Sequence, residues 1–146
     1  MKDVKLNYKQ ILTLVAGLFL FCNNAVPQAY SEFKKIERSY RANVSTTVDV
    51  TNKYGKIQVV NWTSDSVKIV ASVSFSSPNN ERSKLTKMLN TVDFSIVANS
   101  YYITANTIFG VDYTAFFDEL KKLKAQVNID YMIYVPCYIN IKISMA

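Results

Sequence analysis

From residue 30 onward, apolar and polar residues alternate in short runs, the period-two mark of strands that bury one face. Val48 and Val50 alternate with Thr47, Asp49 and Thr51, and Ile57 and Val59 open a run that reaches Trp62. Val67, Ile69, Ala71, Val73 and Phe75 form the longest such series. Val92, Phe94 and Ile96 make another, and Tyr102 to Ile108 a weaker one. Val127, Ile129, Tyr131, Ile133 and Val135 predict a strand that stops at Pro136, and Ile139, Ile141 and Ile143 predict the last. Turn-forming segments lie between them: Asn52-Lys53-Tyr54-Gly55, Thr63 to Ser66, and Asn99-Ser100.

Two segments change period. Ser77-Pro78 suits a helix cap and first helical position, and Leu85, Met88, Leu89 and Val92 then recur at helical spacing, with Asn90 as the stop. Thr114 to Gln126 predicts a second helix with Phe116, Phe117, Leu120 and Leu123 on its apolar side. Lys121, Lys122 and Lys124 lie toward its C-terminal end, where positive charge suits the helix dipole. The expected fold is therefore mainly β, with two short helical insertions. It is either a β-solenoid or β-helix-like stack of short strands or a sandwich-like one. Short connections such as Asn52–Gly55 fit hairpins and solenoid corners equally.

The first 29 residues read differently. Lys2, Lys5 and Lys9 precede the uncharged, mostly apolar run Ile11–Cys22, which falls short of the roughly 20 residues a spanning helix needs. A basic start, a short apolar core and the small residues Ala25 and Ala29 describe a secretory signal peptide. The expected division is a signal peptide over 1–29 and a single β-rich domain over 30–146, exported to the periplasm or the outer cell surface. An uncleaved anchor is the alternative. Cys22 also ends the run as a lipoprotein signal would, although Phe21 stands where a small residue belongs.

Composition narrows the chemistry. The 146 residues suffice for one ordinary domain, and 49% hydrophobic with 19% charged residues suits a packed core. Zero histidine removes the usual general base and the commonest zinc ligand together. Two cysteines cannot build a disulfide framework, and three glycines leave little material for a phosphate-cradling loop. Asp112, Asp118 and Glu119 lie close together beside Lys121 and Lys122, as solvated charge rather than carboxyls facing across a cleft. No catalytic residue, cofactor site or metal site is expected. The formal charge of +6 is scattered apart from Lys34-Lys35 with Arg38 and Arg41, and Lys121-Lys122 with Lys124. That favours solubility or envelope-surface electrostatics over nucleic acid. Asn43-Val-Ser45 and Asn61-Trp-Thr63 match the N-glycan acceptor pattern.

One stretch is more specific. Thr47 to Phe75 runs as a strand, then Asn52-Lys53-Tyr54-Gly55, then Ile57 and Val59 up to Trp62, then a polar turn and the long strand containing Val67, Ile69 and Val73. Later come the Val135-Pro136 strand end and the apolar strand Tyr138–Ser144. This order resembles a bacterial envelope family of adhesins built from β-strand repeats, of the Bacteroidota type. The resemblance covers most of residues 40–144 and implies a stacked β-solenoid in which each rung buries its apolar face on the next. In that family the pattern continues into a second Asn-Lys-Tyr-Gly corner, so the chain resembles the N-terminal portion of a longer design.

The resemblance implies an exported, non-enzymatic envelope protein with an adhesin-like or surface-scaffolding role. The alternative is a small periplasmic module that binds glycan or peptide. Asn52, Lys53, Tyr54 and Gly55 are expected to form a structural turn, and Trp62 is the candidate for binding, against a plain packing role. The partner classes that remain are a surface glycan, a protein, or a second copy paired through an uncapped C-terminal edge strand.

Overall fold

The computed structural model describes residues 29–79 and 81–145. The segment read as a signal peptide, with Cys22, lies outside the described residues apart from Ala29. Eight strands and two helices follow in the order β1 (Tyr30–Arg41), β2 (Thr47–Asn52), β3 (Ile57–Asn61), β4 (Ser66–Ser77), α1 (Arg82–Thr91), β5 (Val92–Ala98), β6 (Tyr102–Phe109), α2 (Tyr113–Lys122), β7 (Gln126–Val135) and β8 (Asn140–Met145).

The strands form two open four-stranded sheets. The first has the order β1-β4-β7-β3 and the second β5-β6-β2-β8. The alternation read in the sequence sets which faces meet. In β4, Val67, Ile69, Ala71, Val73 and Phe75 are buried, and the intervening residues face outward. Ile129, Tyr131, Ile133 and Val135 of β7 do the same. Against them the second sheet buries Val48 and Val50 of β2, Ile103 and Ala105 of β6, and Val92 and Phe94 of β5. The rings of Phe94 and Tyr131 meet edge to face across the layers at 5.8 Å. The arrangement is sandwich-like, with both sheets mixed: β1–β4, β4–β7 and β5–β6 are antiparallel, while β2–β6, β2–β8 and β3–β7 are parallel.

Chain winding follows from this order. Asn99-Ser100 closes a hairpin between β5 and β6, with Asn99 Oδ1 accepting from the backbone N–H groups of Tyr101 and Tyr102. Asn52–Gly55 does not close a hairpin: it carries the chain from β2 in the second sheet to β3 in the first. β7 enters between β3 and β4, so these sequence neighbours are not spatial partners.

The helices bridge the layers. α1 links β4 to β5 and buries Leu85, Met88 and Leu89 against β1, β4 and β5. Its start differs from the expected one. Ser77 is the last residue of β4, and its hydroxyl donates to the Leu123 carbonyl at 2.8 Å rather than capping a helix. The helix starts after Glu81 with no side-chain cap, and Val92 belongs to β5. α2 links β6 to β7. Asp112 caps it by accepting from the Ala115 N–H at 3.0 Å, and Phe116, Leu120 and Leu123 reach the core.

The two sides of the sandwich are unlike. On one side, β1 carries Glu32, Lys34, Lys35, Glu37, Arg38 and Arg41, and Lys34 bonds to the Val92 carbonyl and Asp93 of the neighbouring outer strand β5. On the other, β3 is uncharged and β8 has only Lys142, paired with Asp49 at 3.1 Å.

Candidate functional site

The four residues of the expected structural turn are built tightly against β7. Asn52 ends β2 and is buried, and its Nδ2 donates to the Ile129 carbonyl at 2.7 Å. The Tyr54 carbonyl accepts from the Ile129 N–H, and the Lys56 carbonyl from the Tyr131 N–H at 2.8 Å. Lys56 N–H in turn donates to Asp130 Oδ1 at 2.8 Å. Gly55 has φ +152°, and a Cβ there would run into the Ile129 carbonyl and lie 2.7 Å from Asp130 Oδ1. Only glycine fits this position without displacing β7. Tyr54 turns its ring onto Phe117 at 4.8 Å, and Lys53 Nζ lies over the rings of Tyr54 and Tyr113 at 5.8 and 5.2 Å.

Trp62 lies at the other end of β3, roughly 17 Å away for a five-residue strand. The structure therefore does not bring the corner and Trp62 into one site. The Trp62 backbone N–H donates to the Val135 carbonyl at 3.0 Å, and its indole N–H to the Ser66 carbonyl at 2.7 Å. The half-buried ring also packs against Tyr134 at 5.5 Å. Lys68 Nζ sits over the Tyr134 ring at 5.2 Å and pairs with Glu37 at 3.0 Å.

Tyr134, Lys68 and Glu37 also line a cleft of about 450 Å³ on the outer face of the first sheet, with Lys35, Lys56 and Asp130. This surface can stack on an apolar ring and offer donors and acceptors around it. Tyr134 is not among the residues that the sequence singled out. The signal lay in phase: Ile129, Tyr131, Ile133 and Val135 already fill the inward positions of β7, so Met132 and Tyr134 must face out.

The titratable groups are mostly those of a surface. Asp93 has its carboxyl held below the usual range by the Phe94 N–H first and by Lys34 second. Asp118 and Glu119 lie beside Lys121 and Lys122 at 3.9 and 3.6 Å. Tyr131 is the exception, its hydroxyl pushed up to about 12 by burial and held by Thr107 at 2.8 Å. Among the described residues, no group of three Asp, Glu or Cys side chains is placed to hold a metal ion. Comparison with family models, curated proteins and solved structures found no match to this chain.

Proposed function

We propose that the protein is an exported, non-enzymatic β-repeat protein of the cell envelope, periplasmic or on the outer surface, with an adhesin-like or surface-scaffolding role. The observation that best supports this reading is how β8 lies on β2. The two strands run parallel, with Val48 opposite Ile141 and Val50 opposite Ile143. β7 keeps the same direction on β3. A strand that begins a new turn of chain thus rests on the one that began the previous turn, the way solenoid rungs add. Surface carboxylates in this reading serve cohesion: Glu32, Glu37, Asp49 and Asp93 each lie within 3.3 Å of a Lys or Arg nitrogen. The test is expression of the full chain, tagged at its C-terminus, in a Gram-negative host. The expected product is shortened by its leader, found in the envelope fraction and absent from the cytosol. A full-length cytosolic product would overturn the reading.

A periplasmic glycan- or peptide-binding module is the second reading, favoured by the Trp62–Tyr134 pair with Lys68 above it. Glycan-array binding that disappears in a folded Trp62→Ala variant would select it.

A further inference from the structure

The corner at Asn52 has a feature that its structural role does not use. Asn52 is 3% exposed, and while Nδ2 donates to the Ile129 carbonyl, Oδ1 is buried with no partner among the described residues. A buried amide oxygen left unpaired is costly and rare in native proteins. Asn52 also lines a cavity of about 210 Å³ between the ends of β2 and β6 and the start of α2. Tyr54, Phe109 and Tyr113 form an aromatic wall of this cavity, with ring centroids 5.8 to 6.5 Å apart. Lys53 brings a cation to the same wall, its Nζ 5.2 Å from the Tyr113 ring centre. Asn106, on the exposed phase of β6, adds a second amide.

From this constellation we propose that the corner cavity is a binding subsite for a single sugar ring. A pyranose carries C–H groups on its faces and hydroxyls around its rim. The aromatic wall suits the faces, and Lys53 and Asn106 serve the rim hydroxyls, with the Asn52 amide behind the wall. The volume lies below the 300–1,000 Å³ typical of drug-sized ligands, which matches one ring rather than an extended oligomer. Water is the competing occupant. A cavity this size takes several waters, and those lying on tyrosine and phenylalanine rings lack the two to four polar partners that hold a water in place. Displacing such waters with a sugar face gains affinity. The proposal is independent of the strand-stacking reading, because it uses neither β3 nor β8.

The test is a titration of the isotope-labelled full chain with D-glucose, D-galactose and N-acetyl-D-glucosamine, followed by amide NMR. For at least one sugar, the expected result is saturable shifts confined to the Asn52 side-chain amide and to Lys53, Asn106 and Thr107. The expected affinity is about 1 mM, weak because one ring makes few contacts. Tyr113→Ala, at an exposed first helical position, is expected to weaken binding at least tenfold with the rest of the spectrum preserved. Trp62→Ala is expected to leave the shifts unchanged, which separates this site from the outer face of the first sheet. The proposal is overturned if none of the three sugars gives a saturable shift. Shifts that survive Tyr113→Ala, or that glycerol reproduces at equal concentration, also overturn it by leaving water as the occupant.

Discussion

Asn52 and Ile129 stand 77 positions apart in sequence, yet the side-chain amide of the first donates to the backbone carbonyl of the second at 2.7 Å. The bond ties the end of β2 in one sheet to β7 in the other. Asn52→Ala leaves the Ile129 carbonyl without this donor and is expected to cost about 2 to 3 kcal/mol in urea unfolding. Asn52→Asp is expected to cost more than alanine at pH 7, because a buried carboxylate then faces a carbonyl oxygen. Burial raises that carboxyl's pKa, so the excess cost shrinks as pH falls and the group protonates. Equal costs for the two variants across pH would show that the amide does not make this bond.

Gly55 sets the fit of the same corner. Its φ of +152° and the closeness of Ile129 and Asp130 combine in one residue. Gly55→Ala is expected to lose about 3 kcal/mol or more, beyond the 1 to 3 kcal/mol of backbone strain alone, since β7 must also move. The unfolding midpoint should fall with an unchanged slope. A loss below about 1 kcal/mol would mean that the corner has room to relax.

These two residues also show what was legible in the sequence. The corner was visible as a turn because its residues are turn formers, and seven of the eight strands were visible because their inward phase is almost unbroken in apolar residues. β1 was not read as a strand. It places Glu32, Lys34 and Arg38 in the same phase as Ile36 and Tyr40, so its alternation is hidden by charge. An outer strand tolerates this, since long side chains can cover apolar surface with their stems and keep their heads in water. The start of α1 was misread because Ser77 satisfies Leu123, a contact set by tertiary structure that local cap rules do not contain. Insertion of β7 between β3 and β4, which decides where the corner leads, depends on pairing across 50 residues or more and leaves no local trace.

Tyr131 is the buried titratable group with the clearest consequence for pH. Burial raises its hydroxyl to about 12 from an ordinary 10, so the folded chain holds this proton more tightly than the unfolded chain does. The associated stability is complete below pH 10 and lost as pH rises from 10 to about 12, an effect of about 2 to 3 kcal/mol at most. Tyr131→Phe is expected to flatten that alkaline decline. At neutral pH it should cost about 1 kcal/mol for the lost bond to Thr107. An unchanged alkaline slope in the variant would assign the decline to other groups.

Cys137 is exposed in the turn between β7 and β8. An accessible thiol in an oxidising compartment pairs between molecules. Non-reducing electrophoresis of the oxidised chain is expected to show a covalent dimer that a reductant removes and Cys137→Ser reduces or abolishes. A dimer band of unchanged intensity in that variant would place the disulfide elsewhere.

The two sides of the sandwich differ in how their outer strands are guarded. An outer strand offers unpaired backbone groups, and charged residues are a common guard against pairing with another chain. β1 has that guard in Glu32, Lys34, Lys35, Glu37, Arg38 and Arg41, whereas β3 has no charge at all. The single charge of β8, Lys142, is occupied by Asp49. Apolar side chains are also open on that side: Val60 is 39% and Ile143 45% exposed. The chain is therefore expected to associate through the β3 and β8 edges, with a sedimentation-average mass that rises with concentration. Val60→Lys with Ile143→Lys adds a charge to each edge at positions already partly in water, so folding stability should change by no more than about 1 kcal/mol. The double variant should sediment as a monomer where the parent chain does not. If the parent is monomeric at every concentration, or the variant associates as strongly, these edges are not where copies meet.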